Sequence, residues 1–368
     1  MLRGIEKWGW GYLRQRVRMV GVPKPKHLLL CVADHFEPFR REIQPDGSIR
    51  GGVDTDTAMQ HVLQWCKAYR QTVDGIVDEE GRPPQHTFFY PWDEYDPKVL
   101  DAVGLFCRQG FGEVEVHLHH RADTVDGLRE RLTQCRDTFA REHGLLGRSE
   151  RGAPEYAFVH GNWALCNSRP DRDWCGVDQE LQVLLDTGCY MDCTFPSAPS
   201  PTQPRFVNVV YYGGDPDEGK HGHRLLAPVC VGQAPAAGGV LMLPGPLGIH
   251  KQKGRLRPAL ENAELTTRHP GTRERYGCWR HLQIHVKGVP DWAFVKLHTH
   301  GLDDASRGGV IGDRAKAFYA GLRDWCRTDG MQLHYVTARE MYNVVKAAEA
   351  GKTGDPARWR DWLVKPPY

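Results

Sequence analysis

Short apolar runs alternate with helical patterns along most of this 368-residue chain. The run Leu28 to Ala33 precedes apolar residues at helical spacing, and a strand-like run at 87–92 precedes another helical pattern. About seven such strand–helix pairs can be traced, and this order predicts parallel strands joined by right-handed crossovers. Because the strand-like runs are hydrophobic almost throughout, both faces of the sheet should be covered. The sequence therefore predicts an α/β fold.

Polar residues lie at, or just beyond, the ends of the predicted strands. They are Asp34, Asp93, His117, His119, His160, Asn162, Asp192, His298 and His300. In β/α barrels the carboxyl rim of the strands carries the chemistry. The chain also lacks a G-x-G-x-x-G or Walker glycine loop, which argues against a nucleotide-binding open sheet. A β/α barrel is the architecture that we expect.

The alternation is interrupted at about 205–290, where loops and short β segments predict an irregular β-containing insertion. We expect a single domain over residues 27–368, preceded by a basic, aromatic arm at 1–26. In the arm, cations such as Arg3, Arg14 and Arg18 are interleaved with aromatic residues. The arm could pack on the domain, or it could make a peripheral contact with anionic lipid or a partner protein.

Net charge and cysteine content limit the kinds of binding partner and the cellular compartment that we expect for this protein. The net charge is +2, so the global charge does not call for a polyanion, and we expect no nucleic-acid partner. The eleven cysteines contain no C-x-x-C pair, and this pattern favours reduced thiols in the cytoplasm. Neither a membrane-spanning run nor the apolar core of a signal peptide is apparent.

The segment 113–120 alternates as a β-strand does, so His117 and His119 should project from one face. With His120 and Asp123 nearby, this cluster could supply two or three ligands to one divalent ion. Zinc accepts such nitrogen and oxygen ligands, as do nickel, cobalt and iron. The alternative is that these histidines are hydrogen-bonded core residues.

Two other strand ends add acid–base candidates. Asp34 suits a general base or a metal ligand, His35 suits a ligand, and Glu37 adds a second carboxylate. Asp34 could instead cap the following turn. One histidine of the pair His298 and His300 could act as a general acid.

Glu37, His300 and the remaining rim residues are candidates for substrate binding. Asn162 could donate a hydrogen bond to an oxyanion, and Trp163 could stack on a sugar face. Asp192 could orient a histidine or serve in a turn. Asp93 and His160 lie on the same predicted rim.

The order of these motifs resembles the polysaccharide deacetylase superfamily of carbohydrate de-N-acetylases. The segment 32–37 resembles the family's first strand, with Asp34 matching its base and His35 replacing its second acid. His119 fits the metal-binding histidine, although Asp123 stands where the family has another histidine. His298 fits the general acid of a late Leu-x-His strand. The family's arginine–proline motif is not recognisable, and the segment 160–163 occupies its place.

The resemblance implies a distorted (β/α)7-type barrel and a metal-dependent hydrolase that removes an acetyl group from an amino sugar in a glycan or glycan precursor. It implies a divalent metal ion, most readily zinc. The ligands would be His35, His119 and Asp123, or His117 in place of one of these three. Asp34 would then be the base and His298 the acid. Two alternatives remain: a metal-independent glycoside hydrolase with a carboxylate pair, and a non-catalytic carbohydrate-binding barrel.

Overall fold

The computed structural model describes residues 4–251 and 258–368 of the chain. These residues form an α/β structure in which helices pack on a large, mostly parallel sheet. The strands are β1 (His27–His35), β2 (Glu42–Ile43), β3 (Ile49–Arg50), β4 (His86–Pro91), β5 (Gly112–Leu118), β6 (Tyr156–His160), β7 (Cys189–Asp192), β8 (Tyr211–Gly214), β9 (Arg224–Pro228), β10 (Val240–Met242), β11 (Gly248–His250), β12 (Ala259–Glu261), β13 (Trp292–Thr299) and β14 (Gln332–Tyr335). The helices are α1 (Ile5–Arg18), α2 (Thr55–Val73), α3 (Pro97–Phe106), α4 (Val125–Arg141), α5 (Glu180–Asp186), α6 (Arg273–Leu282), α7 (Asp313–Thr328) and α8 (Ala338–Glu349).

The main sheet follows the order β13-β1-β4-β5-β6-β7-β10-β8-β9, and β14 also pairs with β1. All pairings from β13 to β10 are parallel, whereas β8 runs antiparallel to β10 and β9. The predicted α/β class is thus confirmed. Closure into a distorted (β/α)7-type barrel stays a prediction, because the ladders found in residues 4–251 and 258–368 do not join β13 to β9.

The two faces of the sheet pack in two different hydrophobic cores. Leu30 and Val32 of β1 belong to a cluster that includes residues of α2, α3, α4 and α7, whereas Leu29 and Cys31 belong to a cluster with α8. We call the face of Leu29 and Cys31 the inner face and the opposite face the outer face. Since successive side chains of a strand alternate, burial on both faces explains why the strand sequences are apolar throughout.

Side-chain caps begin several of the helices that follow strands. The Asp54 carboxylate accepts a hydrogen bond of 2.7 Å from the Thr57 N–H ahead of α2, and Asp96 caps α3 in the same way. Thr337 and Glu340 form a reciprocal capping box at α8. These caps satisfy N–H groups that have no partner inside the helix.

A buried lysine connects distant parts of the sheet. Lys296 of β13 pairs in register with Cys31 of β1, and its ammonium group donates to the carbonyl oxygens of Cys193 and Phe195, both at 2.7 Å. The chain after β7 is therefore tied to β13. Because a buried ammonium group is tolerated only when it is hydrogen-bonded, these two carbonyls are required partners.

The insertion and the arm also have defined structure. The segment predicted as an insertion contains β8 to β12 and α6, and β10 joins the main sheet beside β7. The arm contains α1, while Arg3 lies outside the described residues. All eleven cysteines are buried and free of disulfides. Among the described helices, none is both long and apolar enough to cross a bilayer.

Candidate metal centre

Four imidazoles meet at, or just beyond, the carboxyl ends of β1, β5 and β13. The ring centroid of His35 lies 4.8 Å from that of His117 and 4.6 Å from that of His300. The centroids of His117 and His119 are 4.6 Å apart, as the alternation of β5 predicts. The strand ends thus bring together four residues that the sequence had singled out, His35, His117, His119 and His300.

The Glu37 carboxylate lies among these rings. Its Oε1 atom is 3.3 Å from Nε2 of His117, 3.5 Å from Nε2 of His119 and 3.5 Å from Nδ1 of His300. Burial alone would raise the pKa of Glu37, but His300, His117 and His119 hold it well below its ordinary value. Glu37 is therefore a carboxylate at this centre.

Neighbouring oxygens fix the orientation of two of the rings. Nδ1 of His117 lies 3.0 Å from the carbonyl oxygen of Val159, so that nitrogen carries the proton and Nε2 is left as an electron-pair donor. Nδ1 of His119 lies 3.1 Å from the Asp93 carboxylate, which also accepts from the backbone N–H of His119 at 2.9 Å. Carbonyl and carboxylate partners of this kind commonly orient histidines at metal sites.

The donor atoms fit a divalent cation. His35, Glu37 and His117 each offer one ligand atom, and these atoms lie within 4.8 Å of one another. Within residues 4–251 and 258–368, Nδ1 of His35 is buried and has no hydrogen-bond partner. Burial together with His300 and His117 holds the pKa of His35 well below its ordinary value. A neutral imidazole is the form that binds metals. Two histidines and a carboxylate make up a donor set that zinc accepts.

A cleft of about 280 Å³ opens beside these residues and is lined by His35, Glu37, His300 and Arg40. The Trp163 ring borders the same region, with its centroid 6.0 Å from that of His35. A larger cavity of about 460 Å³ is lined by residues such as Arg82 and lies at the amino end of the strands. We assign the functional site to the smaller cleft, because the convergent titratable groups are there.

The loop that carries Trp163 approaches the histidines closely. A Cβ atom at Gly161 would lie 2.2 Å from the His119 ring, so only glycine fits at this position. Trp163 itself has a φ of 54°, a backbone conformation that is uncommon for a bulky residue. Asn162, expected to bind an oxyanion, donates its backbone N–H to Nδ1 of His160 at 3.1 Å, and its side-chain oxygen is buried.

Asp34 does not join the centre as the sequence suggested. It precedes His35 in β1, so its side chain turns to the outer face, where it is fully buried. Its Oδ2 lies 2.7 Å from Nε2 of His86, and its Oδ1 accepts a bond of 2.6 Å from the Gly301 N–H. Both oxygens of the expected base are thus occupied away from the four imidazoles.

Asp123 also departs from the expected metal-ligand role. Its carboxylate contacts Arg131 and lies 3.3 Å from Nδ1 of His120, rather than facing His119. His119 and His120 follow the end of β5, and their rings face different partners, His119 toward Glu37 and His120 toward Asp123. Asp123 therefore belongs to a separate buried cluster.

The separate cluster is centred on Glu180, a residue that no sequence pattern singles out. Nε2 of His120 lies 3.1 Å from the Glu180 carboxylate, which also accepts bonds from the Cys166 N–H at 2.7 Å and the Cys175 thiol at 3.3 Å. His160, Cys175, His120 and Glu180 offer atoms close enough to hold a metal. However, Nδ1 of His160 accepts the Asn162 N–H, which places the His160 proton on Nε2, the atom facing Glu180.

The charge state of this cluster favours a hydrogen-bonded network. Burial lowers the pKa of His120, but Glu180 and Asp123 together raise it to about 9. Burial lowers the pKa of His160 to about 3. In this state a charged His120 lies between two carboxylates, beside a neutral His160. Glu180 lacked a sequence signal because it begins α5 and does not end a strand.

The last two expected site residues lie in buried surroundings. Burial holds the pKa of His298 well below its ordinary value, and its Nδ1 has no hydrogen-bond partner in the part of the chain that the structure describes. Asp192 accepts bonds from the backbone and side chain of Thr194, at 3.0 and 2.7 Å, and burial raises its pKa to about 7. Neither residue lines the cleft.

No model of a known protein family matches this chain, and no curated protein matches it either. The expected relationship to polysaccharide deacetylases stays a prediction. What the site can do is set by the geometry of Glu37 and the surrounding imidazoles.

Proposed function

We propose that this protein is a metal-dependent hydrolase that removes an acetyl group from an amino sugar in a glycan or glycan precursor. The observation that carries the proposal is the position of Glu37, within 3.3 to 3.5 Å of three imidazole nitrogens beside an open cleft. This arrangement joins metal-ligating and proton-transferring groups in one accessible place.

His35, Glu37 and His117 would hold the ion, which we propose to be zinc. When bound, such an ion polarises an amide carbonyl and makes a bound water more acidic. The Val159 carbonyl keeps Nε2 of His117 available, since it holds the proton of that ring on Nδ1. Two histidines and one carboxylate leave a coordination position for water and substrate.

His119 supplies the proton to the departing amine nitrogen. Its Nδ1 faces Asp93, and its Nε2 faces the centre. Although burial lowers the pKa of His119, Asp93 and Glu37 raise it well above its ordinary value. His119 therefore replaces His298 as the proposed general acid, because the pKa of buried His298 is shifted in the opposite direction.

His300 is the group that takes the proton from the attacking water. Although burial lowers the pKa of His300, Glu37 raises it above its ordinary value, which makes the deprotonated ring a stronger base. It lines the cleft together with His35 and Glu37, and its Nδ1 lies 3.5 Å from Glu37. The bond between Asp34 and the Gly301 N–H fixes the adjoining backbone. Asp34 thus acts on this chemistry through the position of His300.

Groups that suit a sugar border the same cleft. Trp163 offers an aromatic ring beside His35 and His300, and aromatic rings pack on the apolar faces of sugars. Arg40 donates to the Leu302 carbonyl at 2.6 Å, which holds its guanidinium group at the cleft wall. The remaining donors of Arg40 can bond hydroxyl groups of a glycan.

The carboxylates do not favour a metal-independent glycosidase. Such an enzyme needs two carboxyl groups that face each other across the substrate. Asp34 is occupied by His86 and Gly301, and Asp192 by Thr194, both in buried positions. Of Asp34, Asp192 and Glu37, the carboxylates that the sequence offers for such a pair, only Glu37 reaches the cleft.

The test combines metal content with acetate release. Protein purified without chelator, beside His117→Ala and the exposed-site control His281→Ala, would be measured for bound metal and for acetate released from N-acetylated aminosugar oligosaccharides. We expect about one zinc per chain in the wild type and the control, and loss of both metal and activity in His117→Ala. Full metal retention in folded His117→Ala would contradict the proposed ligand set. A metal-loaded wild type without acetate release would contradict the proposed reaction.

A further inference from the structure

Helix α1 is attached to the domain through one face only. Trp8 is fully buried, and the Gln15 side chain donates to the Leu282 carbonyl at 2.6 Å. Arg16 donates to the neighbouring His281 carbonyl at 2.7 Å. These contacts hold the helix along the surface of the domain and define which side faces away from it.

The opposite face of α1 is apolar and exposed. Trp10, Leu13, Val17 and Val20 are 75%, 53%, 73% and 82% exposed. Their spacing of three, four and three residues places the helical members in one stripe, which Val20 extends just past the helix end. Four of the nine large hydrophobic residues found exposed in the described chain belong to this one stripe. Clustering of this kind marks an interaction surface, whereas scattered exposed residues do not.

Cations border the stripe. Arg14 and Arg18 are exposed on one side of the helix, and Lys24 is exposed in the segment that follows. Residues 4–26 contain six lysines and arginines and a single acid, Glu6. The charge around the stripe is thus complementary to an anionic surface.

We infer that α1 docks on a bilayer that contains anionic lipids, with Trp10, Leu13 and Val17 inserted between the head groups. An apolar stripe with a tryptophan and flanking arginines is typical of helices that lie in the plane of the interface. The buried contacts of Trp8 and Gln15 allow this orientation, because they leave the whole stripe free. The inference does not depend on the proposed hydrolase activity.

The docking is tested by flotation of the full-length protein with vesicles of phosphatidylcholine alone or mixed with phosphatidylglycerol. Wild-type protein should float with the mixed vesicles and much less with phosphatidylcholine alone, and added salt should weaken the binding. Failure of the wild type to bind the mixed vesicles overturns the inference.

Two variants separate the apolar and the ionic contributions. Leu13→Ser combined with Val17→Ser should weaken binding by at least about a hundredfold, because two inserted aliphatic side chains are lost. Arg14→Gln combined with Arg18→Gln should weaken binding to the mixed vesicles by about 30-fold. Since these side chains are exposed, circular dichroism and metal content should stay as in the wild type.

The matched control is Leu63→Ser combined with Leu105→Ser, which removes two exposed leucines from α2 and α3. This control should bind as the wild type does. Equal binding of the Leu13/Val17 variant and the control would overturn the inference. A wild-type dimer that dissociates in the Leu13/Val17 variant, without vesicle binding by either protein, would assign the stripe to a second copy of the chain instead.

Discussion

Oδ1 of Asp34 accepts a hydrogen bond of 2.6 Å from the backbone N–H of Gly301, the residue that follows His300. The contact is close enough that a Cβ atom at Gly301 would lie 2.0 Å from the Asp34 carboxylate. The buried Asp34 carboxylate on the outer face of β1 thereby fixes the backbone next to His300, at the start of the loop that follows β13. This hydrogen bond gives Asp34 a positioning role, which can be distinguished by experiment from a catalytic role.

Asp34→Asn is the variant that distinguishes these roles. The amide oxygen can still accept the Gly301 N–H, so we expect metal content to be unchanged and turnover to stay within about tenfold of the wild type. Loss of turnover by more than about a thousandfold, with metal and fold retained, would indicate that Asp34 is the base after all. Asp34→Ala should destabilise the fold by about 3–5 kcal/mol, because both buried partners are left unpaired.

Asp93→Asn tests the orientation of His119. Asp93 contacts His119 through both the ring and the backbone N–H, so its replacement should lower kcat by about 10- to 100-fold. Metal content should be preserved, since the ligand set proposed above excludes both residues. The measurement is steady-state kinetics of the wild type and Asp93→Asn, together with the metal content of both proteins. Loss of metal in Asp93→Asn would show that His119 is itself a ligand.

Glu180→Ala tests whether the second cluster is a hydrogen-bonded network. The charged His120 would lose a buried partner, and we expect destabilisation of about 3–5 kcal/mol in urea unfolding. The metal stoichiometry of the folded protein should equal that of the wild type. If Glu180→Ala instead lost an equivalent of metal while His117→Ala retained it, the ion would belong to the second cluster.

His223 should make the fold sensitive to acid. Burial lowers its pKa to about 4 from the ordinary 6.5, and its Nε2 lies 2.8 Å from the Tyr211 hydroxyl. The neutral ring is favoured in the folded state, so its contribution to stability is complete above pH 6.5 and is lost as the pH falls to about 4. At about 1.4 kcal/mol per pH unit, this loss amounts to about 3 kcal/mol.

The measurement is urea unfolding of wild type and His223→Gln at several values of pH between 7 and 4. The variant should lose less stability on acidification than the wild type, by the amount attributed to His223. The exposed-site variant His281→Gln serves as the control and should follow the wild type. Parallel curves for His223→Gln and the wild type would show that His223 does not titrate in this way.

The sequence located the strand ends well because parallel strands that are buried on both faces have an unmistakable composition. It also predicted that His117 and His119 share a face, since that depends only on the two-residue period of a strand. The same rule, applied strictly, would have separated Asp34 from His35. β1 remains regular through His35, so the side chains of Asp34 and His35 leave the strand on opposite faces.

The residues that the sequence missed act through contacts over long separations. Glu180 contacts His120 from sixty positions away, and His86 contacts Asp34 from fifty-two. Such pairs depend on how loops fold back on the sheet, which local patterns do not encode. Asp123 illustrates the same limit: its spacing from His119 matched a ligand pattern, but the turn directs it to His120 and Arg131.

The consecutive residues His119 and His120 serve different environments, one facing Glu37 and the other facing Glu180. Inserting or deleting a single residue in β5 would exchange their sides and disrupt the centre and the network together. Both the metal centre and the Glu180 cluster therefore require the present number of residues between Gly112 and His120. Engineered insertions should be tolerated in exposed turns of this protein, such as the one between β2 and β3, long before they are tolerated there.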